Sequence, residues 1–437
     1  MKSKIMPMAV AVATMAAMGV PFSISWAQTV RGSLNSAADA QSNFARDRNV
    51  SVRQRPHPEY EAAGMRLGAF TARPQLTVSG EYNDNIYGAS AGEIDDFIFR
   101  VKPSVDLQST WSRHALNAFA RGSINRYADY DSENTEEYSF GGNGRLDIVR
   151  GTNLTAGGDH SRITEPRTSS STPTGSIKPI QYDLTQFNLA GVREFNRLRL
   201  QARGDYRKFN YDDGRTLAGA EVEQDDRDRE ITSFLARGDY ALSPATAVFV
   251  QGTVNKREYR LPGTVARPSR DSDGYEILAG ANFEVGALVR GELAAGYLSQ
   301  DFDSPLYGKV DGFGGRAQLE WFPTQLTTVT INGTRSVEDS GIIGSSGYLS
   351  NNVGAQVDHE LLRNVILTGQ VNYGDDDYEG IDRNDKRFTA GVSATYLLNR
   401  RLGVVAGYTY FDQNSKGANG GQDFKVNTIS LGITGRF

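Results

Sequence analysis

The chain has 437 residues, no Cys, a formal net charge of -5 and only 38% hydrophobic residues. That excludes a helical membrane protein, which would be far more apolar, and a disulfide or thiolate–zinc scaffold, and it lacks the concentrated basic face of a nucleic-acid binder. What stands out is 47 Gly with 20 Tyr and 20 Phe on a polar background, which suits a sheet in which only alternate residues meet lipid.

Residues 1–27 read as a signal peptide. Lys2 and Lys4 form a positive region, an apolar Ala-rich stretch runs from about Ile5 to Ile24, and Ser25-Trp26-Ala27 sets small residues at the -3 and -1 positions of a cleavage site before Gln28. Beyond it no run of about 18 apolar residues occurs, so no membrane helix is expected. Residues 28–71 are polar and rich in Arg, Ala and Ser, and carry Arg53, Arg55, Pro56, His57 and Pro58. They are expected to be a mostly disordered periplasmic lead-in, too short for a folded plug.

Residues 72–437 repeat one pattern: segments of roughly 12 to 16 residues that alternate apolar and polar at period two. In one segment Phe97, Phe99, Val101, Pro103, Val105 and Leu107 share a face, and Arg100, Lys102, Ser104, Asp106 and Gln108 share the other. In the next but one, Tyr138, Phe140, Gly142, Gly144, Leu146 and Ile148 oppose Ser139, Gly141, Asn143, Arg145 and Asp147. A pleated strand points these sets to opposite sides of a sheet, one toward lipid and one toward water. Short connections are expected near 111–113, 150–152, 195–197, 243–245, 286, 323–325, 362–363 and 399–401. Long polar ones are expected near 165–180, 213–227, 262–271, 304–310, 340–347 and 414–421, with shorter partners near 88–93, 131–135 and 379–383.

Short periplasmic turns alternating with long outer loops are the habit of an outer-membrane barrel. The expected fold is therefore an all-β, transmembrane, antiparallel up-and-down barrel of about 18 strands (16–18), in the outer membrane of a Gram-negative bacterium. Aromatics near segment ends suit interfacial girdles: Tyr82, Tyr87, Trp111, Tyr127, Tyr130, Tyr206, Tyr240, Tyr297, Trp321, Phe322, Tyr396 and Tyr408. The last segment carries Ile429, Leu431, Ile433 and the terminal Phe437 on one face, the form of a signal read by the barrel-assembly machinery.

Residues 60–164 carry a specific series: Arg66-Leu67-Gly68-Ala69-Phe70, Glu81-Tyr82-Asn83-Asp84-Asn85-Ile86-Tyr87, Asp96-Phe97-Ile98-Phe99, Trp111-Ser112-Arg113-His114-Ala115-Leu116, Gly144-Arg145-Leu146-Asp147-Ile148 and Gly151-Thr152-Asn153-Leu154. In these motifs the chain resembles the putative β-barrel porin 2 family. Members are often encoded among exopolysaccharide genes, so the resemblance implies a role in placing or passing a polysaccharide, with export-system components as partners. It carries no catalytic residues.

The face opposite the apolar one supplies the candidate site. Arg100, Lys102, Arg121, Arg145, Arg199, Arg203, Arg207, Arg237, Arg290 and Arg316 are expected to line the lumen. Asp106, Asp147, Asp205, Asp239, Glu276, Glu284, Glu292 and Glu320 join them, and four pairs lie two apart: Arg145/Asp147, Arg203/Asp205, Arg237/Asp239 and Arg290/Glu292. Such a lining reads either as a salt-bridged wall that keeps a barrel rigid and wet or as a path for an anionic or sugar solute, for which the planar Arg fork suits carboxylates. The two Arg-Gly-Asp tripeptides at 203–205 and 237–239 lie mid-strand rather than on a loop tip. Asp375-Asp376-Asp377 and Asp225-Asp226 match no calcium-loop spacing and read as solvated charge. His57, His114, His160 and His359 form no pairing with acid or Ser fit for catalysis, because Asp159 and His160 point to opposite faces. No catalytic residue, metal site or cofactor is expected. Two functions remain: a conduit or accessory component for exopolysaccharide export or related solute passage, or a loop-closed structural barrel that anchors surface polysaccharide or partner proteins.

Overall fold

Period-two alternation becomes strand throughout. The computed structural model describes residues 50–437 apart from 174, 217 and 264–267, so the segment read as a signal peptide and residues 28–49 of the lead-in lie outside the described residues. Eighteen strands form the wall. The first nine are β1 (Phe70–Asn83), β2 (Asp96–Ser109), β3 (Ala115–Tyr127), β4 (Thr135–Val149), β5 (Thr152–Thr164), β6 (Gln181–Phe195), β7 (Leu198–Tyr211), β8 (Arg229–Ser243) and β9 (Thr246–Tyr259). The rest are β10 (Ser272–Val285), β11 (Val289–Phe302), β12 (Val310–Thr324), β13 (Thr327–Asp339), β14 (Gly347–Leu362), β15 (Val365–Glu379), β16 (Asn384–Leu397), β17 (Leu402–Lys416) and β18 (Phe424–Arg436).

Every neighbour in sequence is an antiparallel neighbour in the sheet, and β18 pairs with β1 from Gln75↔Arg436 to Asn83↔Thr428 to close the ring. A strand of this length runs about 45 Å, and at a tilt of roughly 40° it stands taller than the ~25 Å apolar band of such barrels. The strands therefore project beyond the lipid. The short strand Met65–Leu67 folds back on the first residues of β1, which β18 does not reach, and so covers an edge that would otherwise be open.

All eight short connections and all nine longer ones fall where the sequence puts them. Five of the turns are only two residues long; in one of them, Arg150–Gly151, Gly151 has φ 74°, a conformation L side chains rarely adopt. The outward face is apolar: Phe97, Phe99, Phe140, Leu146, Val250, Ile277, Val353, Val392, Ile429, Leu431 and Ile433 are all exposed, as lipid contact requires. Trp111, Tyr240, Tyr297, Trp321, Tyr396 and Tyr408 are exposed near strand ends. Phe322 is a correction to the girdle: it is buried and packs beneath the Arg290 guanidinium at 5.3 Å. Alternation dictates this, since Trp321 beside it already faces out. Tyr127 shares the parity of buried Asn125 and turns inward too.

Candidate functional site

The inward face holds charge, and neighbouring strands decide how it pairs. On the β1–β4 side Arg100 meets Glu81 of β1 at 2.6 Å, Lys102 follows on the same face, Arg121 of β3 meets Asp106 of β2 at 3.2 Å, and Arg145 meets Asp147 at 3.1 Å. On β7 Arg199 lies 3.8 Å from Glu194, Arg203 meets Asp205 at 2.7 Å, and Arg207 is half-buried on the same face. Arg237 of β8 meets Asp239 at 2.7 Å and reaches Glu292 of β11 at 2.7 Å, spanning three strand positions. Arg290 pairs with Glu320, directly opposite on β12, and Arg316 lies 3.9 Å from Glu276. Arg290 and Glu292, two apart on β11, therefore do not pair with each other. The other three pairs, whose Arg has no acid directly opposite it on the next strand, do meet along their own strand, whereas Arg290 faces Glu320 and takes the nearer partner.

The lumen is asymmetric. The Arg121 and Asp106 side chains are 45% and 54% exposed, so the β2–β4 wall is wet. Across from it the β8–β11 wall is packed. Phe249, Leu278 and Ala294 form a cluster there, with Asp239, Gln251 and Asn282 almost fully buried beside it.

The outer mouth is spanned by the loop after β5, residues 165–180. Glu165 forms a two-toothed pair with Arg227 at 2.7 and 3.0 Å, and Arg167 forms another with Glu133 at 2.7 and 3.0 Å. The loop tip then reaches the far wall: Tyr378 at the top of β15 donates to Ser170 Oγ at 2.8 Å, and the Gly341 amide donates to Ser171 Oγ at 3.2 Å. β5 and β15 lie ten strands apart one way round the ring and eight the other, so this loop crosses close to a diameter. Beside it Asp339 accepts from Arg229 at 2.8 Å and from Arg257 at 2.7 Å, and Arg270 donates to the carbonyls of Ser340 and Asp226. Glu165, Arg227, Arg229, Arg270 and Asp339 line a polar pocket of about 80 Å³ there. Burial works against the Arg227 charge, but Glu165 outweighs it and holds the Arg227 pKa above its ordinary value.

The inner mouth is also occupied. Residues 51–60 of the lead-in enter it, led by a 3₁₀ turn at Val52–Gln54. Val52 is fully buried, and Arg55 meets Glu360 of β14 at 2.7 Å. None of these rim residues was visible as a site in the sequence. A charge at a strand end or in a polar loop carries no periodic signal, and its partner sits tens to hundreds of residues away.

The remaining candidates are structural. Asp376 corrects the reading of solvated charge: it lies within β15, is fully buried, and is bonded by Arg387 and by Ser350 Oγ at 2.6 Å, while Asp225 pairs with Arg260 at 3.1 Å. His114 Nδ1 accepts from the Asp147 amide at 3.1 Å, His160 Nδ1 bonds Thr185 at 2.9 Å, and His359 Nδ1 bonds Thr327 at 3.0 Å. Asp159 instead accepts from Gln186 at 3.2 Å. Among the described residues no three His, Asp or Glu converge as metal ligands.

The sequence profile of the family described as Putative beta-barrel porin 2 matches residues 57–437. No curated protein matches. Among solved structures the chain is similar to the ferric enterobactin receptor PfeA of Pseudomonas aeruginosa (8% identity, 86% of this chain and 81% of that one covered, TM-score 0.47). It is similar also to OpdK of Pseudomonas aeruginosa, solved with vanillate (12% identity, 84% and 99% covered, TM-score 0.43), and to the siderophore receptor PirA of Acinetobacter baumannii (7% identity, 83% and 80% covered, TM-score 0.45).

Proposed function

The chain belongs to the Putative beta-barrel porin 2 family of outer-membrane barrels, and from that premise we propose that it is a non-enzymatic conduit, or an accessory component, for the passage of an exported polysaccharide or a related solute. The observation that carries this reading is the wet, charge-lined β2–β4 wall beneath the loop that crosses the outer mouth. Lumen residues of such barrels tune what passes, and 16–18 strands generally enclose an aqueous channel. Arg121, Arg145, Asp106 and Asp147 offer guanidinium forks and carboxylates to the hydroxyl and acid groups of a sugar chain. Lipid surrounds the barrel. The barrel-assembly machinery would insert it, with Ile429, Leu431, Ile433 and Phe437 as the signal, and export-system components would meet its periplasmic end.

The test is single-channel conductance in planar bilayers. Wild type is expected to conduct weakly. The pair Glu165→Gln/Tyr378→Phe, which removes one anchoring contact at the root of the loop and one at its tip without removing the loop, is expected to raise conductance several-fold. A folded variant that stays silent even with residues 50–64 removed would overturn the conduit reading. The second reading, a loop-closed barrel that anchors surface polymer or partners, is favoured by one observation, the loop's bonds to Tyr378 and Gly341 on the far side. Retention of surface polymer in cells carrying the loosened barrel separates the two, since anchoring predicts loss of polymer and passage does not.

A further inference from the structure

The inner mouth holds a peptide segment as a receptor holds a ligand. Residues 50–64 contain no strand, so nothing in the segment is laddered to the wall, and its contacts are made by side chains and turn carbonyls. The Val52 amide donates to Thr328 Oγ1 of β13 at 3.0 Å. Arg53 lies 3.4 Å from Asp358 and Arg55 meets Glu360 at 2.7 Å, with its second Nη on the Gln325 carbonyl. Arg400 donates to the Pro58 carbonyl at 3.1 Å. Asp358 and Glu360 stand on the lumen face of β14, each 2% exposed, and Arg363 from the adjoining turn also reaches Glu360 at 3.5 Å. His57 is buried against Glu360 at 3.8 Å, and neither of its ring nitrogens has a hydrogen-bond partner. Gly64 and Gly68, at φ 74° and 61°, bracket the Met65–Leu67 strand and place flexible residues between the seated segment and β1.

We propose that the periplasmic mouth is a binding site for an arginine-bearing peptide in a turn conformation, filled in cis by residues 51–60, and that this segment is a releasable plug. Two buried carboxylates and a hydroxyl form the recognition set. With Arg363 of the adjoining turn, the two guanidiniums supply the charge that offsets the cost of burying those acids. The plug's effect on passage rests on the conduit reading; the binding site does not.

The chain has no native Cys, so Val52→Cys/Thr328→Cys in the full-length protein can be bridged by a disulfide or a short reducible cross-linker. The bridged barrel is expected to conduct several-fold less than the reduced one. Equal conductance in a barrel that does conduct would overturn the plug. Binding is tested separately with the full-length Arg53→Ala/Arg55→Ala variant, whose own segment is weakened, and a fluorescent synthetic peptide of residues 50–61. Saturable binding is expected, weakened about tenfold or more by Glu360→Gln or by alanines at both peptide arginines, since charge-assisted bonds are the strong ones. No binding to a folded variant, or binding that ignores these changes, would overturn the site. A barrel silent in every state that still binds the peptide would uphold the site and sink the conduit reading instead.

Discussion

Arg237 shows how one residue can serve both as charge and as packing. Its guanidinium lies 3.6 Å from the centre of the Phe249 ring while bonding Asp239 and Glu292. Phe249 in turn fits because Gly280, directly opposite it on β10, has no side chain: a Cβ there would come within 2.5 Å of the ring. The set is almost fully buried, so it has no water to fall back on. Arg237→Ala removes the charge facing two buried carboxylates and the plate covering the ring, and is expected to cost about 3–5 kcal/mol. The cost is read as a lower urea midpoint for unfolding of the barrel in micelles, with slope unchanged. Arg237→Lys is expected to recover only part, because an ammonium cannot bridge both acids in one plane. Stability equal to wild type in the alanine variant would mean that the β8–β11 wall is held by its backbone alone.

At the scale of the strand, the sequence reveals whatever repeats. Strand number, turns and sides could be read because a one-residue slip would turn every apolar side chain inward, and because turn residues such as Pro244 interrupt the pattern at even spacing. The same rule exposes the girdle assignment of Phe322 as inconsistent with its neighbour Trp321. What could not be read depends on non-local contact. Ser169, Ser170 and Ser171 look alike in an exposed loop and in one folded across a mouth, and only the far-wall partners, Tyr378, 208 residues from Ser170, and Gly341, 170 from Ser171, tell them apart. Arg53 and Arg55 likewise read as tail polarity until Asp358 and Glu360 are placed opposite them. The terminal strand is the element on which closure depends: Phe437 donates its amide to the Pro74 carbonyl at 3.1 Å and exposes its ring to lipid. Deleting Phe437 is expected to lower the outer-membrane level of the protein several-fold while the purified barrel, refolded in detergent, keeps its strand content. Membrane fractionation beside circular dichroism checks both halves, and an unchanged membrane level would remove Phe437 from the assembly signal.

For the whole molecule, charge balance decides what kind of pore this can be. The wet wall pairs Arg121 with Asp106 and Arg145 with Asp147, so its near field is close to neutral, unlike a ladder of one sign. A conducting barrel is therefore expected to be only weakly ion-selective. Arg121→Glu changes the wet wall by two charges and leaves Asp106 facing a like charge, so the lumen becomes cation-preferring. In a tenfold KCl gradient at low salt the permeability ratio should shift toward K⁺ by a few-fold, read from the reversal potential. The shift should fade near 1 M salt, where the screening length falls to about 3 Å and the opposite side of the lumen no longer feels the charge. The matching change at the edge of the packed wall, Arg316→Glu on β12, is at a less exposed side chain (18%) and should act on stability more than on selectivity. If both substitutions moved the reversal potential alike, ions would be passing along both walls, and the packed β8–β11 side would have to open during conduction.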